Sequence, residues 1–196
     1  MFDAVLQFSK IAEVRSTILS DLNLEPKGYF IATVHRPSNT DNPEKLHNIL
    51  SAFMEIYEPV IFPVHPRTQE KIVKLKPDLS IPDSQLTSSN VHLLPLVGYL
   101  DMLTFEQNAR MILTDSGGIQ KEAYFFEVPC ITLRPETEWV ETVEIGWNVL
   151  VGADKMQILA WVENVVSPVA HHPEIFGNAK AADRITNHIS GANIIN

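Results

Sequence analysis

Short apolar runs alternate with longer helical segments along most of the chain, and this alternation restricts the fold more than any other feature of the sequence. Strands are predicted at residues 29–34, 60–64, 91–94, 111–114, 130–133 and 148–151. These runs are apolar almost throughout, which is typical of strands buried on both faces. Strands that alternate with helices form parallel sheets through right-handed crossovers. The sequence therefore predicts an α/β fold, a Rossmann-like parallel sheet with helices on both faces.

The helices are predicted from apolar spacing and from their start signals. Asn42 followed by Pro43 marks one helix start, because proline suits the first helical position. The other predicted helices lie at residues 2–22, 68–75, 99–108, 119–126, 138–144, 155–166 and 179–189. Residues 76–90 carry two prolines and several serines and are predicted to be mostly loop.

Composition excludes several classes of function. The chain has 196 residues, enough for one domain, and a net charge of −9, which argues against nucleic acid as a general partner. Cys130 is the single cysteine, so no intrachain disulfide is possible. No membrane span or signal peptide is recognised, and the expected compartment is the cytoplasm. The adjacent His171 and His172 have poor ligand spacing, and neither a metal site nor a cofactor is expected.

A glycine turn in the middle of the chain is the most informative local motif. The strand at 111–114 leads through Ser116, Gly117 and Gly118 directly into a helix. Backbone N–H groups at a helix start are unpaired and suit a phosphate, and glycine allows its close approach. Asp115 is expected to point into this turn, and Glu122 to lie within reach of a ribose. A nucleotide diphosphate site and an ordinary βα turn both fit this spacing.

Other polar residues follow the ends of the predicted strands, where parallel sheets bind their ligands. His35 and Arg36 follow the first strand, and Arg134 follows the fifth. His65 and Arg67, after the second strand, are weaker candidates with an equally plausible structural role. This convergence on one sheet edge favours the nucleotide site over the ordinary turn.

Four blocks, at residues 33–39, 63–68, 113–123 and 176–182, together resemble the non-hydrolysing UDP-N-acetylglucosamine 2-epimerases. The block Ser-Gly-Gly-Ile-Gln-x-Glu-Ala is the most specific. The resemblance implies one half of a GT-B-type two-domain enzyme, namely a connector helix at 1–22 and a UDP-binding domain at 23–196. The family's amino-terminal domain, which supplies the acid and base carboxylates, would be absent, so this chain alone is expected to be inactive.

The resemblance also assigns roles to individual residues. It implies interconversion of UDP-GlcNAc and UDP-ManNAc by elimination and re-addition of UDP, in a homodimer when the enzyme is full-length. His35 would be the catalytic residue near the diphosphate. The implied UDP-binding residues are Arg36, Val97, Met102, Ser116, Gly117, Gly118, Glu122 and Arg134, with residues 96–102 lining the uracil pocket.

Two departures from the family pattern leave the substrate open. Ser38 stands where glutamate is common, and Trp139 replaces the arginine of a Thr-Glu-Arg-Pro-Glu block. A modified UDP-HexNAc, such as a diacetamido-uronic acid derivative, is therefore an alternative substrate. A GT-B glycosyltransferase, a hydrolysing epimerase and a nucleotide-binding module without catalysis are the alternative functions.

Overall fold

The computed structural model describes residues 1–75, 90–164 and 172–191. Its strands, β1 to β6, are Phe30–Thr33, Val60–Pro63, Val91–Leu94, Met111–Thr114, Cys130–Thr132 and Asn148–Leu150. They form one sheet in the order β3-β2-β1-β4-β5-β6, and every neighbouring pair is parallel. The predicted α/β fold with a parallel sheet is confirmed, and the strand order is the doubly wound one of Rossmann folds.

Helices connect the strands and flank the sheet. In chain order, α1 to α10 are Phe2–Arg15, Ile18–Asp21, Pro37–Thr40, Pro43–Glu55, Pro66–Leu75, Tyr99–Asn108, Gly117–Phe125, Val140–Glu144, Lys155–Glu163 and Ala181–Ile189. The start of α4 at Pro43 is as predicted, and the Asn42 side chain accepts from the Lys45 N–H at 3.1 Å.

Alternate residues of the strands face two different helix layers, as the pleat requires. Phe30 and Ala32 of β1 belong to a core shared with α4, α5 and α9. Ile31, between them, packs in a second core with Ile112 and Phe105 of α6. A third cluster joins α1 to α6 and α7 around Val5, Leu103 and Tyr124. Burial on both faces explains why the strands are almost purely apolar.

The single helix predicted at 2–22 is wrong, because the structure breaks it after Arg15. Ser16 adopts an extended conformation, with φ −84° and ψ 129°, and its hydroxyl donates to Asp101 Oδ1 at 2.6 Å. This long-range bond replaces helix continuation, and a short helix resumes at Ile18. The loop predicted at 76–90 lies outside the described residues except for residue 90. The end of the helix predicted at 155–166 also lies outside them, and the described part of this helix ends at Glu163.

Candidate functional site

The loops that follow β1 and β4 lie side by side at the centre of the sheet. These two strands pair with each other, although two other strands, β2 and β3, lie between them in the sequence. Their ends are joined by a 2.6 Å hydrogen bond between the hydroxyls of Thr33 and Thr114. Open parallel sheets bind ligands beyond the strand ends at this reversal of strand order. The candidate site therefore begins at these two loops.

Asp115 connects the two loops, and the expectation that it points into the glycine turn is wrong. Its carboxylate is fully buried and accepts hydrogen bonds from the backbone N–H groups of His35 and Arg36, at 3.1 and 3.0 Å. The Asn39 amide donates to the same carboxylate at 3.1 Å and to the Leu133 carbonyl at 2.9 Å. Asp115 thus fixes the backbone of the loop that carries His35.

The ring of His35 is positioned by the same carboxylate. Its Nδ1 lies 3.4 Å from Asp115 Oδ1, and its side chain is 46% exposed. A carboxylate at Nδ1 favours the tautomer that carries a proton there, which leaves Nε2 as the free ring nitrogen. His35 also lines the cavity described below. The catalytic role expected of His35 therefore has a rigid support and access to a ligand.

The glycine turn has the open geometry that an anion needs. Ser116 is the N-cap of α7 and its side chain makes no capping bond, while its own N–H donates to Thr114 Oγ1 at 2.9 Å. Within the described parts of the chain, no acceptor is bound to the N–H groups of Gly117 or Gly118. These donors and the helix dipole together attract negative charge. The turn can therefore take a phosphate without rearranging its backbone.

Glu122 lies further along α7 and is only 9% exposed. Its Oε1 accepts from the Tyr99 hydroxyl at 3.3 Å, and burial raises the pKa of its carboxyl. Glu106 of α6 is fully buried, and neither of its carboxyl oxygens has a partner among the described residues. Burial, and then the charge of Glu122, raise the pKa of Glu106 well above its usual range. Sequence reasoning gave no sign of this acidic pair.

Arg36 and Arg134 converge on Glu138, which lies in the loop between β5 and α8. Both terminal nitrogens of the Arg134 guanidinium donate to the Glu138 carboxylate at 3.0 Å. Arg36 Nη2 is 3.9 Å from the same carboxylate. The Oε2 atom of Glu138 lies 3.1 Å from the position that a Cβ on Gly117 would take. The bond from Arg134 lowers the pKa of Glu138, which stays charged beside the turn.

Trp139 also contacts the glycine turn, close to Glu138. Its indole Nε1 donates to the Gly117 carbonyl at 2.6 Å. Lys121 Nζ lies 4.1 Å from the centre of the Trp139 ring and 4.3 Å from that of Phe176. The ammonium group between two rings is stabilised by cation–π attraction. Trp139, which stands where the resemblance implies an arginine, is thus an aromatic support for the turn.

A cavity of about 320 Å³ opens beside these loops. It contains three of the predicted site residues, His35, Val97 and Met102, together with His65. Its remaining lining residues are Thr33, Val34, Pro63, Leu96 and Ile119. The mostly apolar walls suit a flat, largely uncharged group. The other predicted residues, namely Arg36, Ser116, Gly117, Gly118, Glu122 and Arg134, are not among its lining residues.

Arg67 is tied to neighbouring side chains outside this cavity. Its guanidinium donates to Asp41 Oδ2 at 2.8 Å, and the same carboxylate pairs with Lys71 at 3.3 Å.

Across the described residues, no group of three or more His, Cys, Asp or Glu side chains is placed to hold a metal ion. Nor does any helix in those parts of the chain have the length and apolar character to span a bilayer.

The sequence is similar to those of known proteins. The sequence profile described as UDP-N-acetylglucosamine 2-epimerase matches residues 1–190. A UDP-N-acetylglucosamine 2-epimerase homolog of Methanococcus maripaludis is 51% identical over 160 residues, which cover 81% of this chain and 44% of that protein. The UDP-2,3-diacetamido-2,3-dideoxy-D-glucuronate 2-epimerase of Pseudomonas aeruginosa is 39% identical over 167 residues, which cover 83% of this chain and 44% of that protein.

A solved structure extends the match to the fold. The crystal structure of Methanocaldococcus jannaschii UDP-GlcNAc 2-epimerase in complex with UDP-GlcNAc and UDP superimposes with a TM-score of 0.82 at 40% sequence identity. The match covers 97% of this chain and 52% of that one. The chain therefore spans about half the length of the relatives it matches. With the profile matched over nearly its whole length, the chain belongs to the UDP-N-acetylglucosamine 2-epimerase family.

Proposed function

We propose that this chain is the UDP-binding half of a UDP-N-acetylglucosamine 2-epimerase. The observation that carries the proposal is the glycine turn at the strand reversal, with its free N–H groups beside His35. The matched M. jannaschii enzyme was crystallised with UDP-GlcNAc and UDP, which supports a UDP-sugar as the ligand. Residues 1–22 would be the connector and residues 23–196 the nucleotide domain. The full-length enzyme would be a homodimer in the cytoplasm.

The proposed reaction interconverts UDP-GlcNAc and UDP-ManNAc. A base removes the C2 proton while the C1–O bond breaks, and UDP departs with that bond's electron pair to leave a glucal-type intermediate. Reprotonation of C2 on the opposite face and re-addition of UDP at C1 give the epimer. Negative charge therefore develops on the departing diphosphate. Fixed donors aimed at that charge lower the barrier.

The residues of this half divide the work of holding the leaving group. The N–H groups of Gly117 and Gly118 would bind the phosphates, and Arg36 and Arg134, which converge on Glu138, would supply positive charge. His35, held by Asp115 through Nδ1, would lie near the departing diphosphate oxygen, to which its doubly protonated ring would donate from Nε2. Glu122 would accept from the ribose hydroxyls, and the cavity beside Val97 and Met102 would take the uracil. The proton transfers at C2 would fall to the other half.

Binding of UDP is the first test. A ligand that binds only the folded state stabilises it by about 2.7 kcal/mol at a hundredfold excess over its dissociation constant. We expect millimolar UDP to raise the melting temperature of the chain and free GlcNAc to leave it unchanged. Calorimetric titration should give a single site. No binding of UDP in either measurement would contradict the proposal.

Solvent exchange is the second test and separates binding from catalysis. The chain is incubated with UDP-GlcNAc in D₂O, and C2 is followed by NMR. We expect neither deuterium at C2 nor the manno epimer, because a general acid or base must lie within hydrogen-bond reach of the transferred proton. Addition of the family's amino-terminal half should start the exchange. Deuterium incorporation by this chain alone would show that its own carboxylates suffice.

A diacetamido-uronate substrate is the second candidate. The P. aeruginosa relative named for that substrate is 39% identical to this chain, and Trp139 departs from the common pattern next to the glycine turn. Exchange at C2 with each UDP-sugar in the reconstituted enzyme decides between them. The faster substrate identifies the enzyme.

A further inference from the structure

Glu138 lies where the ligand's negative charge is expected. Its carboxylate oxygen is 3.1 Å from the position that a Cβ on Gly117 would take. It is bound by both terminal nitrogens of Arg134, and Arg36 is 3.9 Å away. Two arginines of the candidate site are therefore already turned toward an anion of the protein itself.

The position of Glu138 also allows it to leave. Its side chain is 51% exposed, and that of Arg36 is 41% exposed, so water competes with both ends of the Arg36 pair. The exposed pair with Arg36 therefore contributes little to stability, and the stronger tie is the two-bond contact with Arg134, whose side chain is 10% exposed. Among the described residues, the Glu138 carboxylate makes no hydrogen bond to the N–H groups of Gly117 and Gly118. A diphosphate can use those donors and the guanidinium groups together, whereas Glu138 uses only the guanidinium groups.

We propose that Glu138 is a place-holding anion that determines the affinity of this site for diphosphates. This inference rests on the proposed function. When the diphosphate enters, Arg134 and Arg36 exchange the Glu138 carboxylate for phosphate oxygens, and Glu138 moves toward solvent. In the empty site, Glu138 keeps both arginines oriented. Its negative charge also lowers the affinity for UDP, because this charge must be displaced or tolerated when the diphosphate binds. Ligands without phosphate require no exchange.

The test compares Glu138→Gln with Glu141→Gln, a matched control that removes the same charge from an exposed neighbour on α8. Each variant is titrated with UDP and with uridine at low ionic strength. Removal of one like charge about 4 Å from a ligand charge corresponds to roughly a fivefold gain in affinity near water's dielectric constant. We expect Glu138→Gln to bind UDP about fivefold or more tightly, and Glu141→Gln to match the wild type. Uridine should bind all three proteins equally.

A second variant, Glu138→Ala, removes the remaining amide contact to Arg134 and should also bind UDP more tightly than the wild type does. Equal or weaker UDP binding by both Glu138 variants, with unchanged uridine binding, would overturn the inference and leave the proposed function intact. It would mean that Glu138 only positions the arginines. Failure of the wild type to bind UDP would overturn the proposed function and this inference together. High salt should reduce the difference between Glu138→Gln and wild type.

Discussion

Replacement of Asp115 should disrupt the loop that carries His35 more than its single carboxylate suggests. Asp115 accepts from the N–H groups of His35 and Arg36 and from the Asn39 amide, at 3.0 to 3.1 Å. Hydrogen bonds to a charged group contribute about 1.5–3 kcal/mol each, and an unsatisfied buried donor costs about 1–3 kcal/mol. Asn39 keeps its bond to Leu133, and the two loop amides can bind water. We therefore expect Asp115→Ala to lower the free energy of unfolding by about 3–5 kcal/mol.

Asp115→Asn tests the orientation of His35 separately from stability. An asparagine oxygen in the place of Oδ2 still accepts from Arg36 and Asn39. Its amide group then faces His35 Nδ1, which must accept a bond instead of donating one. The neutral ring should therefore move its proton from Nδ1 to Nε2. The loss of stability should be only about 1–2 kcal/mol, since most of the bonds remain.

Urea unfolding at constant slope measures the stability of each variant, and ¹⁵N chemical shifts of the His35 ring report its tautomer. Asp183→Asn is the control, because Asp183 is exposed on α10. It should change the free energy of unfolding by less than about 0.5 kcal/mol. The reasoning is refuted if Asp115→Ala costs less than about 1 kcal/mol, or if the tautomer of His35 is the same in Asp115→Asn and wild type.

Three further substitutions probe the helix that begins at the glycine turn and the acidic pair behind it. Glu122→Ala should weaken UDP binding about tenfold or more by titration, because a charged hydrogen bond to the ribose is lost; unchanged affinity would remove Glu122 from the site. Glu106→Gln should leave stability unchanged near pH 4. Above about pH 4.5, the free energy of unfolding of Glu106→Gln should rise relative to that of the wild type by up to about 1.4 kcal/mol per pH unit. The reason is that burial raises the pKa of Glu106 in the folded wild type, so its ionisation favours the unfolded chain. A pH-independent difference in urea unfolding would contradict this. Gly118→Ala meets only ordinary contacts, at 3.8 Å to Ser116 and 3.9 Å to Met1, so it should fold normally but bind UDP more weakly by calorimetry; equal affinity would show that the phosphate does not approach this backbone.

The sequence predicts the sheet well because burial on both faces leaves a direct signal in each strand. The helix Tyr99–Asn108 is found at its predicted bounds, and Gly117 begins α7 two residues before the predicted start. The break after Arg15 depends on a bond from Ser16 to Asp101, a partner far away in the sequence. Local spacing carries no information about such a contact.

The sequence predicts which loops meet at the candidate site but not the hydrogen bonds and ion pairs between their side chains. The ends of parallel strands meet at one edge, so His35 and the glycine turn could be brought together by topology alone. The direction of Asp115 could not, because it depends on which donors the loop after β1 presents. Glu138 was also missed, since its pairing with Arg134 takes place in a loop and has no periodic signal. In loops, the order of charged residues in the sequence does not indicate which side chains form ion pairs.

The contact of Lys121 with Trp139 and Phe176 has a consequence for the order in which the site is completed during synthesis. Trp139 clamps the Gly117 carbonyl, and Phe176 stacks edge-on against Trp139 with 5.8 Å between ring centroids. Phe176 leaves the ribosome long after the glycine turn and the whole sheet have emerged. Until it docks, one of the two rings that hold the Lys121 ammonium is missing. We therefore expect the nascent chain to acquire its sheet first and the final rigidity of its anion-binding turn last.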